Sequence, residues 1–278
     1  MPTIGVVISG IISHDYLGEV FRGVADTAKQ HRYTLITSIQ NLTRQDDLTH
    51  LFGRGGCDGA VMVIPHNYEH MVEVCRRSGR DCVLIDYPRP QEVDDLPTVG
   101  VTNRAAIQGV VRHLVGLGHR RIGMITGGMV HSAGLQRLLG YQDGLAEAGI
   151  PFDPELTAGG EWSQPVVYAA AKELLQLSPR PSAIVASSDL GAFAVYRAAR
   201  ERGLEISRDL SVTGFDDNRL ASAVAPPLTT VRQPTYELGK TAVEMLIARL
   251  EGQPLPELHV RLNTELIIRQ STGPATTP

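Results

Sequence analysis

Carboxylates stand at three points of this sequence where a run of apolar residues stops. Asp86 closes Cys-Val-Leu-Ile, Ser188-Asp189 follows Ala-Ile-Val-Ala-Ser, and Asp216-Asp217 closes Leu-Ser-Val-Thr-Gly-Phe. A fourth run, Leu228 to Val231, ends at Arg232-Gln233. Apolar runs of this length are the mark of strands buried on both faces. Polar residues at the ends of parallel strands lie where α/β proteins bind ligands. A carboxylate held there accepts from hydroxyls. A guanidinium fork such as Arg137 donates in pairs, and a ring face such as Trp162, the only tryptophan, covers the apolar side of a sugar or purine. This is the chemistry of recognition, not of bond making.

Each of these residues also has a plainer use. Asp189 stands at a helix start and reads as an N-cap, as Asp15 does before the first helix. Asp217 reads as a turn or capping residue. A lone arginine on a helix is usually solvated or ion-paired, and a lone tryptophan usually packs. No catalytic or metal centre assembles. His66 and His70 have metal-like spacing but lack a His-Glu-x-x-His order or a cysteine partner. Gly53, Gly55 and Gly56 follow a helical pattern rather than a strand. There is no Walker lysine, no Gly-x-Gly-x-x-Gly and no Gly-x-Ser-x-Gly elbow, so no cofactor is expected.

The elements that must position these residues alternate. Strands are expected at Thr3 to Ile8, Tyr33 to Ser38, Gly59 to Ile64, Cys82 to Ile85 and Thr98 to Val101, with helices at Leu17 to Ala28, Arg44 to Phe52 and Tyr68 to Arg77. The pattern then restarts. Asn103 is placed to cap a helix through Leu114; strands follow at Arg121 to Ile125, Ala183 to Ala186 and Leu210 to Phe215. Helices lie at Leu135 to Ala148, Val166 to Leu177, Leu190 to Arg202 and Leu238 to Leu250. His259 to Leu262 and Glu265 to Ile268 look like closing strands. Strands alternating with helices imply right-handed parallel crossovers and an α/β fold. The 278 residues suggest about two domains.

Composition is that of an ordinary globular protein, 42% apolar and 20% charged. A net charge of −4 gives no general pull toward nucleic acid. Cys57, Cys75 and Cys82 are odd in number and form no Cys-x-x-Cys pair, which points to a reducing compartment. Neither a signal peptide nor a membrane-spanning run is evident, so the Asn41-Leu42-Thr43 sequon carries little meaning and a cytoplasmic location is expected.

Several ordered blocks carry a family resemblance: Gly-Phe-Asp-Asp at 214–217, Pro-Pro-Leu-Thr-Thr-Val-Arg-Gln-Pro at 226–234, Ser188-Asp189-Leu190-Gly191-Ala192 and Leu238-Gly239-Lys240-Thr241-Ala242. Together they resemble the LacI/GalR family of transcriptional regulators. The resemblance implies a periplasmic-binding-protein-like fold of type I: two Rossmann-like lobes with parallel sheets, joined by a three-crossover hinge. Crossovers are then expected near Val101, Val231 and Gln253. One lobe would be residues 1–101 plus 232–253, the other 102–231 plus 254–270, with 271–278 a disordered tail.

The resemblance also implies a ligand cleft between the lobes. Ser9, Asp15 and Tyr16 stand where the family makes early contacts, Asp86 at its strand-end aspartate, and Arg137 at its ligand-binding arginine before a Gly-aromatic pair. Trp162 stands at its packing aromatic, Asp216 at its carboxylate and Gln233 at its polar residue near the hinge; Ser188 and Asp189 complete the set. The family's Asp-Asn pair is Thr102-Asn103 here, and His131, Ala133 and Val167 replace smaller or hydroxyl residues. The expectation is a non-enzymatic effector-binding domain for a small polar, sugar-like ligand. It would be a homodimer through helices such as Leu238 to Leu250 and the one starting near Asn103. Operator DNA would be reached only through a helix-turn-helix domain missing here. A transporter's solute-binding protein is the alternative, and an enzyme acting on a sugar a lesser one.

Overall fold

The computed structural model describes residues 2–9, 14–40, 49–53, 56–63, 73–74, 76–86, 95–129 and 131–275. The sequon at Asn41, the histidine pair His66 and His70, Gly55 and Cys75 lie outside the described residues. So do most of the helix expected at Tyr68 to Arg77 and the start of the one expected at Arg44. The chain divides into two compact units, Met1–Val101 with Pro234–Leu262, and Thr102–Gln233 with Asn263–Pro278.

Unit 1 is built on β1 (Thr3–Ser9), α1 (His14–Gln30), β2 (Thr34–Gln40), the short α2 (Thr49–Phe52), β3 (Gly59–Val63), β4 (Asp81–Ile85) and β5 (Thr98–Val101). Two later elements, α7 (Thr235–Leu250) and β11 (His259–Leu262), complete it. Its six strands run in the order β11-β5-β4-β3-β1-β2, all parallel. Successive residues of a strand face opposite sides of the sheet. Val61 and Val63 therefore join Val20, Val24, Leu238, Ala242 and Leu246 on one side, while Ala60 and Met62 join Leu51, Cys57 and Cys82 on the other. Helices α1 and α7 approach unusually closely because glycine stands at the contact. A Cβ on Gly23 would lie 2.0 Å from the Tyr236 carbonyl oxygen, and one on Gly239 would lie 2.0 Å from that of Val20.

Unit 2 contains α3 (Asn103–Gly116), β6 (Ile122–Thr126), α4 (Ser132–Glu147), β7 (Thr157–Gly159), α5 (Gln164–Leu174), β8 (Ala183–Ala186), α6 (Asp189–Glu201), β9 (Ser211–Thr213), β10 (Thr230–Arg232) and β12 (Glu265–Ile267). Four strands form a parallel sheet in the order β7-β6-β8-β9. One side packs on α3 and α4 through Ile107, Val111, Leu114, Tyr141 and Leu145, the other on α5 and α6 through Ala171, Leu174, Val195 and Ala199.

Three expectations need correction. The strand before Arg232 does not lie in a purely parallel sheet: β10 pairs antiparallel with β12, with only isolated parallel bridges to the β9 segment at Thr213–Thr229 and Asp216–Arg232. The third passage between units falls after Leu262, not near Gln253, because β11 pairs with β5 and extends the first sheet. Residues 271–275 are no disordered tail. Ser271 is fully buried and donates to the Val212 carbonyl, and the Ala275 amide donates to the Leu117 carbonyl. Residues 276–278 lie outside the described residues. The strand β7 was not foreseen; its three residues, Thr-Ala-Gly, carry too little pattern to read.

Candidate functional site

In unit 1, β4 stops at Asp86, whose backbone turns into the left-handed region (φ 55°). Aspartate tolerates that conformation better than most residues. Its amide donates to the Val99 carbonyl, which ties the end of β4 to β5. Tyr16, in the first turns of α1, donates its hydroxyl to the Asp86 carboxylate. The Tyr16 ring is 6% exposed and packed in the core of the unit. It therefore serves Asp86 with its hydroxyl rather than offering an open ring face. Asp15 is exposed in the first turn of α1, where a carboxylate suits the helix dipole. Ser9 ends β1 beside Gln40; its side chain lies outside the described residues.

In unit 2 the remaining residues follow strands: Arg137 on α4 after β6, Trp162 after β7, Ser188 and Asp189 after β8, Asp216 after β9 and Gln233 after β10. Arg137, on α4, is 4% exposed, so its charge must be met by protein. Its Nε donates to Asn103 Oδ1 at 2.8 Å and its Nη1 to the Ser187 carbonyl at 2.5 Å. The guanidinium carbon lies 3.5 Å from the centre of the Phe215 ring and 5.6 Å from that of Trp162. The half-buried indole lies flat on the backbone of Gly127-Gly128, where a Cβ on Gly127 would be 2.1 Å from it. Trp162 thus packs against backbone and a cation, not in the hydrophobic core.

Three carboxyl groups meet at the turn after β9 and have different fates: Asp216 and Asp217 on the turn and Asp189 at the start of α6. Asp216 has a positive φ of 123°, and its Oδ1 accepts from Gln233 Nε2 at 2.7 Å. Gln233 is 5% exposed, and its Oε1 is buried with no hydrogen-bond partner among the described residues. Asp217 is more than a turn residue: it accepts from Arg232 at 2.8 Å and from Arg269 at 2.6 Å. Asp189 does not cap its helix. Ser188 does, its hydroxyl accepting from the Gly191 amide at 3.1 Å. Asp189 is fully buried; its Oδ1 shares a 2.5 Å hydrogen bond with Thr230 Oγ1, and its Oδ2 accepts from the Asn218 amide at 2.8 Å. Burial first, then the neighbouring Asp216 charge, pushes its carboxyl well above the usual range.

Residues 111–272, more than half of the chain, match the family of periplasmic binding protein-like domains. The chain is 32% identical to the HTH-type transcriptional repressor CytR of Escherichia coli (strain K12), over 96% of this chain and 78% of that protein. The chain belongs to the LacI family of transcriptional regulators. A regulatory protein of the LacI family from Chloroflexus aggregans superposes with a TM-score of 0.88 at 30% identity, covering 98% of both chains. The complex of the transcriptional regulator CelR with cellobiose superposes at 0.86 and 26% identity, covering 97% of this chain and 84% of that one. For this LacI-family chain the α/β architecture of parallel sheets is that of its relatives, which are transcriptional regulators.

Three residues that matter to the LacI-family site geometry escaped the sequence. Asn103, read as a helix cap, is the first residue of α3; Thr102 precedes it as the cap, and the Asn103 side chain orients Arg137. Phe215 supplies the ring beneath the guanidinium. Ser187 supplies a carbonyl to it and keeps its own buried hydroxyl without a partner among the described residues. The Gly-Phe-Asp-Asp wording marked Phe215 as part of the motif, but nothing local links residue 215 to residue 137. Among the described residues no His, Cys, Asp or Glu cluster could hold a metal, and no helix is long and apolar enough to cross a membrane.

Proposed function

We propose that this chain is the effector-sensing domain of a transcriptional regulator, binding a small, polar, uncharged solute of the sugar or sugar-derivative class. The residues proposed for recognition stand at or after strand ends within each unit. Asp86, held by Tyr16, with Asp15 and Ser9, would serve from unit 1, and Arg137, Trp162, Ser188, Asp216 and Gln233 from unit 2; Asp189, expected among them, is fully buried and touches no ligand. Arg137 and Asp216 would take hydroxyls and Trp162 a ring face.

One observation carries the reading. The Arg137 guanidinium is fixed by Asn103 and Ser187, with its carbon 3.5 Å from the Phe215 ring centre and 5.6 Å from that of Trp162. Such prearrangement lowers the ordering cost of recognition. The cellobiose in the CelR complex supports the sugar class.

Occupancy would shift the population between two conformational states and so alter the DNA affinity of attached heads. A homodimer would carry that signal, with α3 and α7 as contributors to its interface.

The test is a thermal-shift screen against neutral sugars, sugar phosphates, nucleosides and purines, repeated on Arg137→Ala and Asp216→Ala. A ligand at about 100 times its Kd adds roughly 2.7 kcal/mol by mass action, or on the order of 4–5 °C in Tm for a chain of this size. A neutral sugar that stabilises the wild type and neither variant is the expected result. A hit kept in both variants moves the site elsewhere, and a preference for sugar phosphates refutes the uncharged class.

A further inference from the structure

Asp189 is the one carboxyl among the described residues that is fully buried with no cation bonded to it. Its neighbour Asp217 takes both nearby arginines, Arg232 from β10 and Arg269 from beyond β12. The remaining charged or titratable groups around Asp189 are Asp216 on the same turn, Tyr196 on its own helix α6, and Arg137 on α4. Tyr196 donates its hydroxyl to the Pro226 carbonyl, and Arg137 is bonded to Asn103 and Ser187. An ionised Asp189 would therefore lie out of water beside two carboxylates, an arrangement that buried charges avoid by taking up a proton.

The surroundings fit the neutral acid. A carboxylic acid has one O–H to donate and a carbonyl oxygen that accepts. At the 2.5 Å contact with Thr230 Oγ1 the threonine hydroxyl donates to a carboxylate but can equally accept the O–H of a neutral acid, and the 2.8 Å contact with the Asn218 amide keeps the other oxygen as acceptor. A third tie comes from the backbone, where the Asp189 amide donates to the Phe215 carbonyl at 2.7 Å. The turn is also packed tightly on this carboxyl: a Cβ on Gly214 would lie 2.2 Å from Asp189 Oδ1. One residue thus joins the start of α6, the strand β10 and both ends of the turn that presents Phe215 to Arg137 and Asp216 to Gln233.

We propose that Asp189 is a positioning residue held as a neutral carboxylic acid, whose proton ties α6 to Thr230 and whose carbonyl oxygen fixes Asn218, so that the 214–218 turn presents Phe215 and Asp216. It touches no ligand itself. Its link to effector binding rests on the reading given under the proposed function; its protonation and its hold on the turn do not. Ionisation would set a second negative charge against Asp216 and remove the donor to Thr230.

The test uses the full chain without ligand. Infrared difference spectra at pH 7 between wild type and Asp189→Asn should contain a protonated-carboxyl C=O band; its absence overturns the proposal. Asparagine keeps both bonds, donating to Thr230 and accepting from Asn218, with one extra N–H. Over the window from the ordinary carboxylate pKa of about 4 upward, the folded wild type holds a proton that the unfolded chain releases. Its Tm should therefore fall relative to that of Asp189→Asn by roughly 2 °C per pH unit until the group ionises in the fold. Parallel curves, or a wild type that gains on the variant as pH rises, overturn it. In Asp189→Ala the Asn218 amide should exchange with solvent at least about ten-fold faster; unchanged exchange overturns the positioning role. If either variant does not fold, a pH titration of wild type labelled with ¹³C-carboxyl aspartate decides, by showing one aspartate protonated at pH 7 or none. Because no ligand enters these measurements, their failure is separate from failure of the effector-sensing reading.

Discussion

Arg137 and Phe215 lie face to face, with the guanidinium carbon 3.5 Å from the ring centre and two of its nitrogens bonded to Asn103 and Ser187. The charge is buried, planar and oriented from two sides, which a lysine cannot reproduce. Arg137→Ala strands two buried acceptors. It is expected to cost about 2–4 kcal/mol in urea denaturation. Arg137→Lys should recover less than half of that, because a point donor cannot serve both acceptors.

Trp162 is the only tryptophan, so intrinsic fluorescence reports on this edge of unit 2 alone. Its indole lies on Gly127-Gly128 with no room for a methyl group. Gly127→Ala should displace the ring into solvent and shift its emission to the red with little loss of secondary structure by circular dichroism. An unshifted spectrum would mean the indole does not rest on that glycine.

Asp217, with a side chain only 7% exposed, is clamped by Arg232 and Arg269. Arg269 is itself 18% exposed, whereas Arg232 is half in solvent and also reaches Glu265. Removing the carboxylate leaves Arg269 with the larger deficit. Asp217→Ala should cost about 1–3 kcal/mol, most of it lost again when combined with Arg269→Met in a double-mutant cycle.

His119 is 2% exposed and sits within hydrogen-bond distance of Ser182 Oγ, Ser211 Oγ and the Gly273 carbonyl. Burial holds its pKa below the ordinary histidine value, against a smaller opposing effect from the Gly273 carbonyl. The unfolded chain then binds a proton that the folded chain resists. Stability is fully present above the unfolded pKa of about 6.5 and is lost as pH falls below it. Melting curves from pH 7.5 to 5 should show this loss in wild type and a flatter profile in His119→Gln. The Ala275 amide, bonded to the Leu117 carbonyl, should lose exchange protection over the same range.

Much of the fold was legible because period-two apolar runs and helical stripes are local. The strands at Ala183 to Ala186 and His259 to Leu262 fall where their patterns put them. What the pattern could not say is which sheet a strand joins. β11 reads the same whether it closes unit 2 or extends unit 1, and only its parallel pairing with β5 decides. The same holds for Ser271, whose burial depends on hydrogen bonds to Val212 and Thr229, far away in sequence.

The candidate site divides along the same line. By itself the sequence determined that this is an α/β chain with carboxylates at strand ends, and its ordered motifs carried the family, because residue type and spacing are local facts. The tertiary structure alone decided what each group does. Asp189 is interior, where burial pushes its carboxyl pKa up, Asp217 is spent on two arginines, Tyr16 gives its hydroxyl to Asp86, and Asn103 orients Arg137. A side chain's charge state and its partners are set by the dielectric and the neighbours that folding brings to it, and those neighbours lie tens of residues away along the chain.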